Sequence, residues 1–243
     1  MNLVPVFSIL GVLLTILSFT MLIPMLVDFS SGSQNWFGFA SAALISCFVG
    51  ISLWLTNRSK QELNLGLKEA FLLTNSAWVL SGIFGAFPFL FSDLGLSFTD
   101  ALFESISGIT TTGSTILTNI ELASPGIILW RALLQWLGGI GIIVMALAIL
   151  PILSVGGMQL FKTETYEASD NAIPRARQLA GGIFGVYASL TLIWTVMLWL
   201  AGMGGFDALI HSMTTLATGG YSSKTASVGA FDSVTIELII IFG

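Results

Sequence analysis

Asp100-Ala-Leu-Phe-Glu-Ser-Ile-Ser-Gly-Ile-Thr-Thr-Thr-Gly113-Ser and Asp207-Ala-Leu-Ile-His-Ser-Met-Thr-Thr-Leu-Ala-Thr-Gly-Gly220-Tyr are one stretch of sequence written twice. The copies lie 107 residues apart, and Asp-Ala-Leu, Ser105/Ser212, Thr111/Thr218, Gly113/Gly220 and Thr118/Thr225 coincide at that offset without a gap. Each begins with about twelve mostly apolar residues, too short a helix to cross a bilayer, and then meets a glycine. In the first copy, Phe98 to Ile109 forms the short helix, which ends at Thr110-Thr-Thr-Gly-Ser, where three β-branched residues and a glycine favour extended backbone. The second copy repeats this with Asp207 to Ala217 followed by Thr218-Gly-Gly-Tyr-Ser. Both therefore read as turn-backs inside a membrane.

The surrounding chain supplies that membrane. Of 243 residues, 55% are hydrophobic and 9% charged, a balance that defines an integral membrane protein. Apolar runs long enough to span, about 20 residues of helix, occur near 4–27, 37–56, 70–91, 127–154 and 178–202, and a sixth starts at Val234 and stops at Gly243. The expected architecture is an all-α integral membrane protein: an amino-terminal two-span hairpin at 1–69, a first span–pore loop–span unit at 70–158, a linker at 159–174, and a second such unit at 175–243 that is truncated. A chain ending within an apolar run reads as an incomplete polypeptide. The first run lacks a basic leader and a small-residue cleavage site, so it is expected to be retained.

Basic residues set the orientation. Arg58, Lys60 and Lys68 follow the second span, and Lys162, Arg175 and Arg177 lie between the fourth and fifth. The positive-inside rule places those loops and the amino terminus in the cytoplasm. Asp28, Asp93, Asp100, Glu121, Asp207 and Asp232 fall on the opposite, outer face, where they concentrate cations. The net charge of −5 argues against a nucleic-acid partner, and the single cysteine, Cys47, forms no intrachain disulfide and no thiolate metal site. Two complete spans separate the repeated stretches, so both enter from the outer face with the same polarity. Such a parallel repeat has its axis along the membrane normal, which suits a central pore.

The chemistry follows from the backbone. Carbonyls freed from helix at membrane depth cost several kcal/mol unless something replaces their hydrogen bonds. A dehydrated cation does so, helped by the negative end of a short helix. Glycine permits the backbone angles that present carbonyls inward. Thr111, Thr112, Gly113 and Ser114, with Thr218, Gly219, Gly220 and Tyr221, are the backbone that such a cation would meet. Asp100 and Asp207 are expected to cap the two pore helices.

A short pore helix with Thr-Thr-Gly-Ser and Thr-Gly-Gly-Tyr, repeated in span–loop–span units behind an amino-terminal hairpin, resembles the Trk/Ktr/HKT superfamily of cation transporters, on its bacterial Trk potassium-uptake branch. The resemblance implies a K⁺-channel-like fold in which four units surround one pore, each giving one strand of a selectivity filter with a key glycine, here Gly113 and Gly220 flanked by Thr111, Thr112 and Ser114 and by Thr218, Gly219 and Tyr221, with K⁺ at Thr111 to Gly113 and Thr218 to Gly220. It also implies potassium uptake across the bacterial inner membrane, no enzymatic activity and no cofactor beyond the transported K⁺. The implied partners are membrane lipid, a second copy in a homodimer, a cytoplasmic nucleotide-binding regulatory subunit, and the missing carboxy-terminal units. Only two filter strands are present, and two cannot surround an ion.

Two other readings stay open: a broken-helix secondary transporter of another cation or solute, and an intramembrane hydrolase using Glu104 and His211, which occupy equivalent places in the repeat. A polar brace of the pore helix is the simpler role for both. No second histidine completes a zinc site, and no Gly-x-Ser-x-Gly elbow occurs. Arg131 is expected to snorkel to the headgroups or to pair with Glu121. Gly138, Gly139, Gly141, Gly181, Gly182 and Gly185 are expected to serve close helix packing.

Overall fold

Pro5, in the first turn of α1 (Val4–Thr20), has the fixed φ that starts a helix without needing a donor. At Met21 that helix passes into α2 (Leu22–Ser31), which ends at Gly32 in the left-handed conformation, φ +77°. The computed structural model describes residues 3–58, 66–153 and 172–243, with side chains outside 144–180. Its described elements are all helical: α3 (Trp36–Thr56), α4 (Leu67–Gly85), the single turn α5 (Phe87–Leu90), α6 (Phe98–Ile109), α7 (Pro125–Leu153), α8 (Ala172–Leu200), α9 (Gly205–Leu216) and α10 (Val234–Ile241). Among the described residues five segments are long and apolar enough to cross a membrane: Val4–Ser31, Trp36–Thr56, Leu67–Leu90, Pro125–Ile143 and Gly181–Leu200. They match the five apolar runs. Lys60, Lys162 and the expected linker up to residue 171 lie outside the described residues, and positions 172–174 of that linker already belong to α8.

The hairpin closes by small-residue contact. A Cβ on Gly11 would sit 2.6 Å from the Gly50 carbonyl oxygen, and one on Gly50 would sit 2.8 Å from that of Gly11. The two glycines therefore let α1 and α3 touch backbone to backbone. Asp28 then ties this hairpin to α7: its fully buried carboxylate accepts from the Gly126 amide at 2.7 Å and the Ser124 hydroxyl at 2.9 Å. A negative charge there also complements the amino-terminal end of the helix dipole. On the same side, Asn35 and Asp93 hold the loops together with reciprocal bonds of 2.7 and 2.9 Å.

Around α7 the core is continuous. Trp130 is fully buried, donates its indole N–H to the Gly85 carbonyl at 2.9 Å, and meets the Phe39 ring edge to face at 6.3 Å. Leu44, Phe48, Leu192 and Leu200 remain exposed on their helices. The glycines behave unequally. Gly138 lies so near the end of α6 that a Cβ would meet the Ile109 oxygen at 1.9 Å, and Gly139 packs on Ala217 and Tyr187. Gly141, Gly181, Gly182 and Gly185 face open space among the described residues, so the packing role expected of them is not found there.

Candidate ion-selectivity filter

The helices α6 and α9 are the two re-entrant segments, each 12 residues long, and both stop in the same hydrogen-bonded geometry. After α6, the Thr111 amide donates to the Gly108 carbonyl and the Thr112 amide to that of Ser107, each at 2.9 Å. After α9, the Thr218 amide donates to Thr215 at 2.8 Å and the Gly219 amide to Thr214 at 2.9 Å. This pair of bonds is the Schellman ending, which turns one residue left-handed and satisfies two carbonyls of the last turn. Here that residue is threonine, with φ +56° at Thr111 and +53° at Thr218. Glycines two residues on return to the same region, φ +79° at Gly113 and +77° at Gly220. The two strands thus share one pattern of backbone handedness at the offset of the sequence repeat.

A β-branched residue in the left-handed region is strained by roughly 1–3 kcal/mol and persists only where its surroundings over-determine it. What holds the strands is visible behind them. From α6, Glu104 accepts from the Thr115 hydroxyl at 2.9 and 3.0 Å and the Ile116 amide at 3.1 Å. From α9, His211 Nε2 meets the Ser222 hydroxyl at 2.9 Å while Nδ1 meets the Asp207 carbonyl at 2.8 Å. Glu104/Thr115 and His211/Ser222 are the same contact at offset 107, made with different chemistry. Both braces join the short helix to the chain just beyond the residues expected to form the filter.

Arg131 does not reach the headgroups, nor does it pair with Glu121. It is 1% exposed, its Nε donates to Glu104 at 2.7 Å, and Nη1 donates to the Ser222 carbonyl at 3.0 Å. Its guanidinium lies 4.1 Å from the centroid of the Tyr221 ring. The apolar environment of α7 leaves a charge no better partner than the buried carboxylate across the helix interface. Glu121 instead accepts from the Thr225 amide at 2.8 Å and from the Thr225 hydroxyl, and those bonds hold its carboxyl below its ordinary value.

The helix caps also fall earlier than expected. Ser97 is the N-cap of α6, accepting from the Asp100 amide at 3.2 Å, while its hydroxyl donates to the Asp100 carboxylate at 2.7 Å. Gly204 takes that place before α9. Asp100 and Asp207 are thus third-position residues: the first accepts from the hydroxyl of the N-cap Ser97, and the second accepts from the Ser223 hydroxyl at 2.6 Å and lies 3.6 Å from Lys224 Nζ. The expectation of Asp100 and Asp207 as the caps is corrected accordingly.

Not every expected ion-facing carbonyl is free. Ser114 accepts from the Ser107 hydroxyl at 2.6 Å and the Tyr221 hydroxyl at 3.2 Å, and Gly219 accepts from Gln135 Nε2 at 2.8 Å. Among the described hydrogen bonds, the carbonyls of Thr111, Thr112, Gly113, Thr218, Gly220 and Tyr221 accept none. The Tyr221 side chain is buried, its hydroxyl also donating to the Glu104 carbonyl at 2.9 Å. Thr218 and Gly220 are exposed, while Gly219 and Tyr221 are buried. Gln135, Ser107 and Ser97 are the residues that sequence reasoning missed. For Gln135 a signal exists: it lies four residues after Arg131, on the same helix face, inside an otherwise apolar run.

Residues 33–243 match the family described as TrkH, cation transport protein. The Trk system potassium uptake protein TrkH of Escherichia coli K12 is 43% identical over 235 residues, covering 96% of this chain and 48% of the relative. That of Halomonas elongata is 42% identical over 242 residues, covering 98% and 50%. The crystal structure of the potassium transporter TrkH from Vibrio parahaemolyticus superimposes with a TM-score of 0.88 at 39% identity, covering 100% of this chain and 49% of that one. The chain spans about half the length of the relatives it matches.

Proposed function

This chain belongs to the TrkH family of cation transport proteins, and we propose that it supplies two of the filter strands of a bacterial inner-membrane potassium-uptake protein. The ion passes dehydrated between backbone carbonyls of Thr111, Thr112 and Gly113 on one strand and Thr218, Gly220 and Tyr221 on the other. Selectivity comes from the number and field of those oxygens rather than from a charged side chain. The observation that carries this reading is the matched backbone handedness: left-handed residues at Thr111 and Gly113 recur at Thr218 and Gly220. Two strained threonines at equivalent places are hard to explain by packing, because glycine would fit without strain.

The remaining parts of the proposal follow from the sequence and the relatives. The hairpin at 1–69 supports two parallel units at 70–158 and 175–243, and further units complete the ring of oxygens. The amino terminus is cytoplasmic by the positive-inside rule. A homodimer served by a cytoplasmic nucleotide-binding regulator is carried by family resemblance. Glu104 and His211 act as braces, since each is engaged with the strand that follows its own pore helix.

Complementation tests the proposal. An uptake-deficient bacterium expressing this chain with its native downstream sequence should grow at limiting K⁺. Failure to grow with the protein present in the membrane, or rescue that survives loss of both Gly113 and Gly220, contradicts it.

A further inference from the structure

We infer that Gln135 is a positioning residue that sets the ion preference of the filter by holding the Gly219 carbonyl out of the ion path. The side chain is fully buried and both ends of its amide are engaged: Nε2 donates to the Gly219 carbonyl at 2.8 Å, and Oε1 accepts from the Tyr221 amide at 3.1 Å. These two bonds bracket Gly220, the left-handed glycine of the second strand. The grip comes from α7, which belongs to the first unit, so one unit fixes the filter strand of the next.

Close contacts leave the Gly219 peptide little freedom. A Cβ on Gly219 would lie 2.3–2.6 Å from the Gln135 amide atoms. On the other side, a Cβ on Gly113 would lie 2.0 Å from the Gly219 oxygen. That oxygen is therefore enclosed by Gly113 and the Gln135 amide. At offset 107, Gly219 corresponds to Thr112, whose carbonyl accepts no hydrogen bond among those described. The strands thus offer unequal sets of oxygens: Thr111, Thr112 and Gly113 in sequence on the first, and Thr218, Gly220 and Tyr221 with a gap on the second.

Carbonyl number and rigidity decide which cation replaces its hydration shell most cheaply. A buried amide that removes one oxygen and pins its neighbours acts on both. The counterpart of Gln135 at offset 107 is Phe242, which cannot offer such a grip. Released from Gln135, the second strand can turn the Gly219 oxygen inward and close around a smaller ion.

This inference rests on the potassium reading above, and its test separates the two. Gln135→Glu keeps the size and an acceptor but loses the donor to Gly219; Gln135→Met loses both. Each variant of the complete protein is reconstituted in vesicles, and K⁺ and Na⁺ fluxes are measured per protein incorporated. Expected is a ~10-fold fall in the K⁺/Na⁺ permeability ratio, equivalent to about 1.4 kcal/mol. If Gln135→Met fails to insert, Gln135→Glu decides. An unchanged ratio in an inserted variant overturns the role of Gln135, whereas absence of K⁺ preference in the unsubstituted protein overturns the potassium reading itself.

Discussion

Arg131→Met removes the guanidinium that joins Glu104 of α6 to the Ser222 carbonyl beyond α9. Its loss leaves Glu104 as a fully buried carboxylate with only the Thr115 hydroxyl and the Ile116 amide, and leaves the Ser222 carbonyl without its donor. Breaking a buried ion pair by deleting one partner costs about 3–5 kcal/mol, because the surviving charge is uncompensated. A snorkelling or surface arginine would cost about 0.2–1 kcal/mol instead. The two cases differ enough to measure by thermal or denaturant unfolding in detergent. A double-mutant cycle sharpens the result: adding Glu104→Gln to Arg131→Met removes the orphaned charge while keeping an acceptor for Thr115. The double variant should recover most of the loss, with a coupling of about 2 kcal/mol or more. A single-variant loss under about 1 kcal/mol, or strictly additive effects, would refute the buried pair.

Gly113→Ala should harm uptake more than Gly220→Ala: both residues are left-handed, but only at Gly113 would the new Cβ strike the neighbouring strand, 2.0 Å from the Gly219 oxygen. Equal K⁺ uptake by the two variants contradicts that geometry. Thr111→Gly and Thr218→Gly relieve backbone strain, so neither should lower the unfolding temperature, while K⁺ over Na⁺ preference should fall as the strands soften; a rise in preference counts against the account. Asp28→Ala should destabilise the protein by about 1–3 kcal/mol, because the Gly126 amide loses its buried partner. Flux per folded molecule should stay unchanged in that variant, and a selective loss of flux at full stability would contradict a purely structural role.

The repeat offset carries most of what sequence shows. It locates both pore helices within two residues, because helix in α6 and α9 ends where β-branched residues and glycine begin. It also equates Glu104 with His211 before any contact is known. The strained threonines are invisible, since nothing in a threonine favours the left-handed region; the Schellman ending and the braces behind it impose that conformation. Arg131 reads as a headgroup anchor because it lies near the end of an apolar run, and its partner is 27 residues earlier on another helix. Sequence gives no distance between α6 and α7. The same gap hides the loss of the Ser114 and Gly219 carbonyls to the Tyr221 hydroxyl and the Gln135 amide, donors 107 and 84 residues away in the chain.

The central claim is that a cation sits between these two strands. Diffraction from crystals of the complete protein grown in Rb⁺, with anomalous differences collected at the rubidium edge, locates the ion without reference to any side chain. The account predicts peaks within coordination distance of the carbonyls of Thr111 to Gly113 and of Thr218, Gly220 and Tyr221. Rubidium bound elsewhere along the pore, with none between these strands, would contradict it.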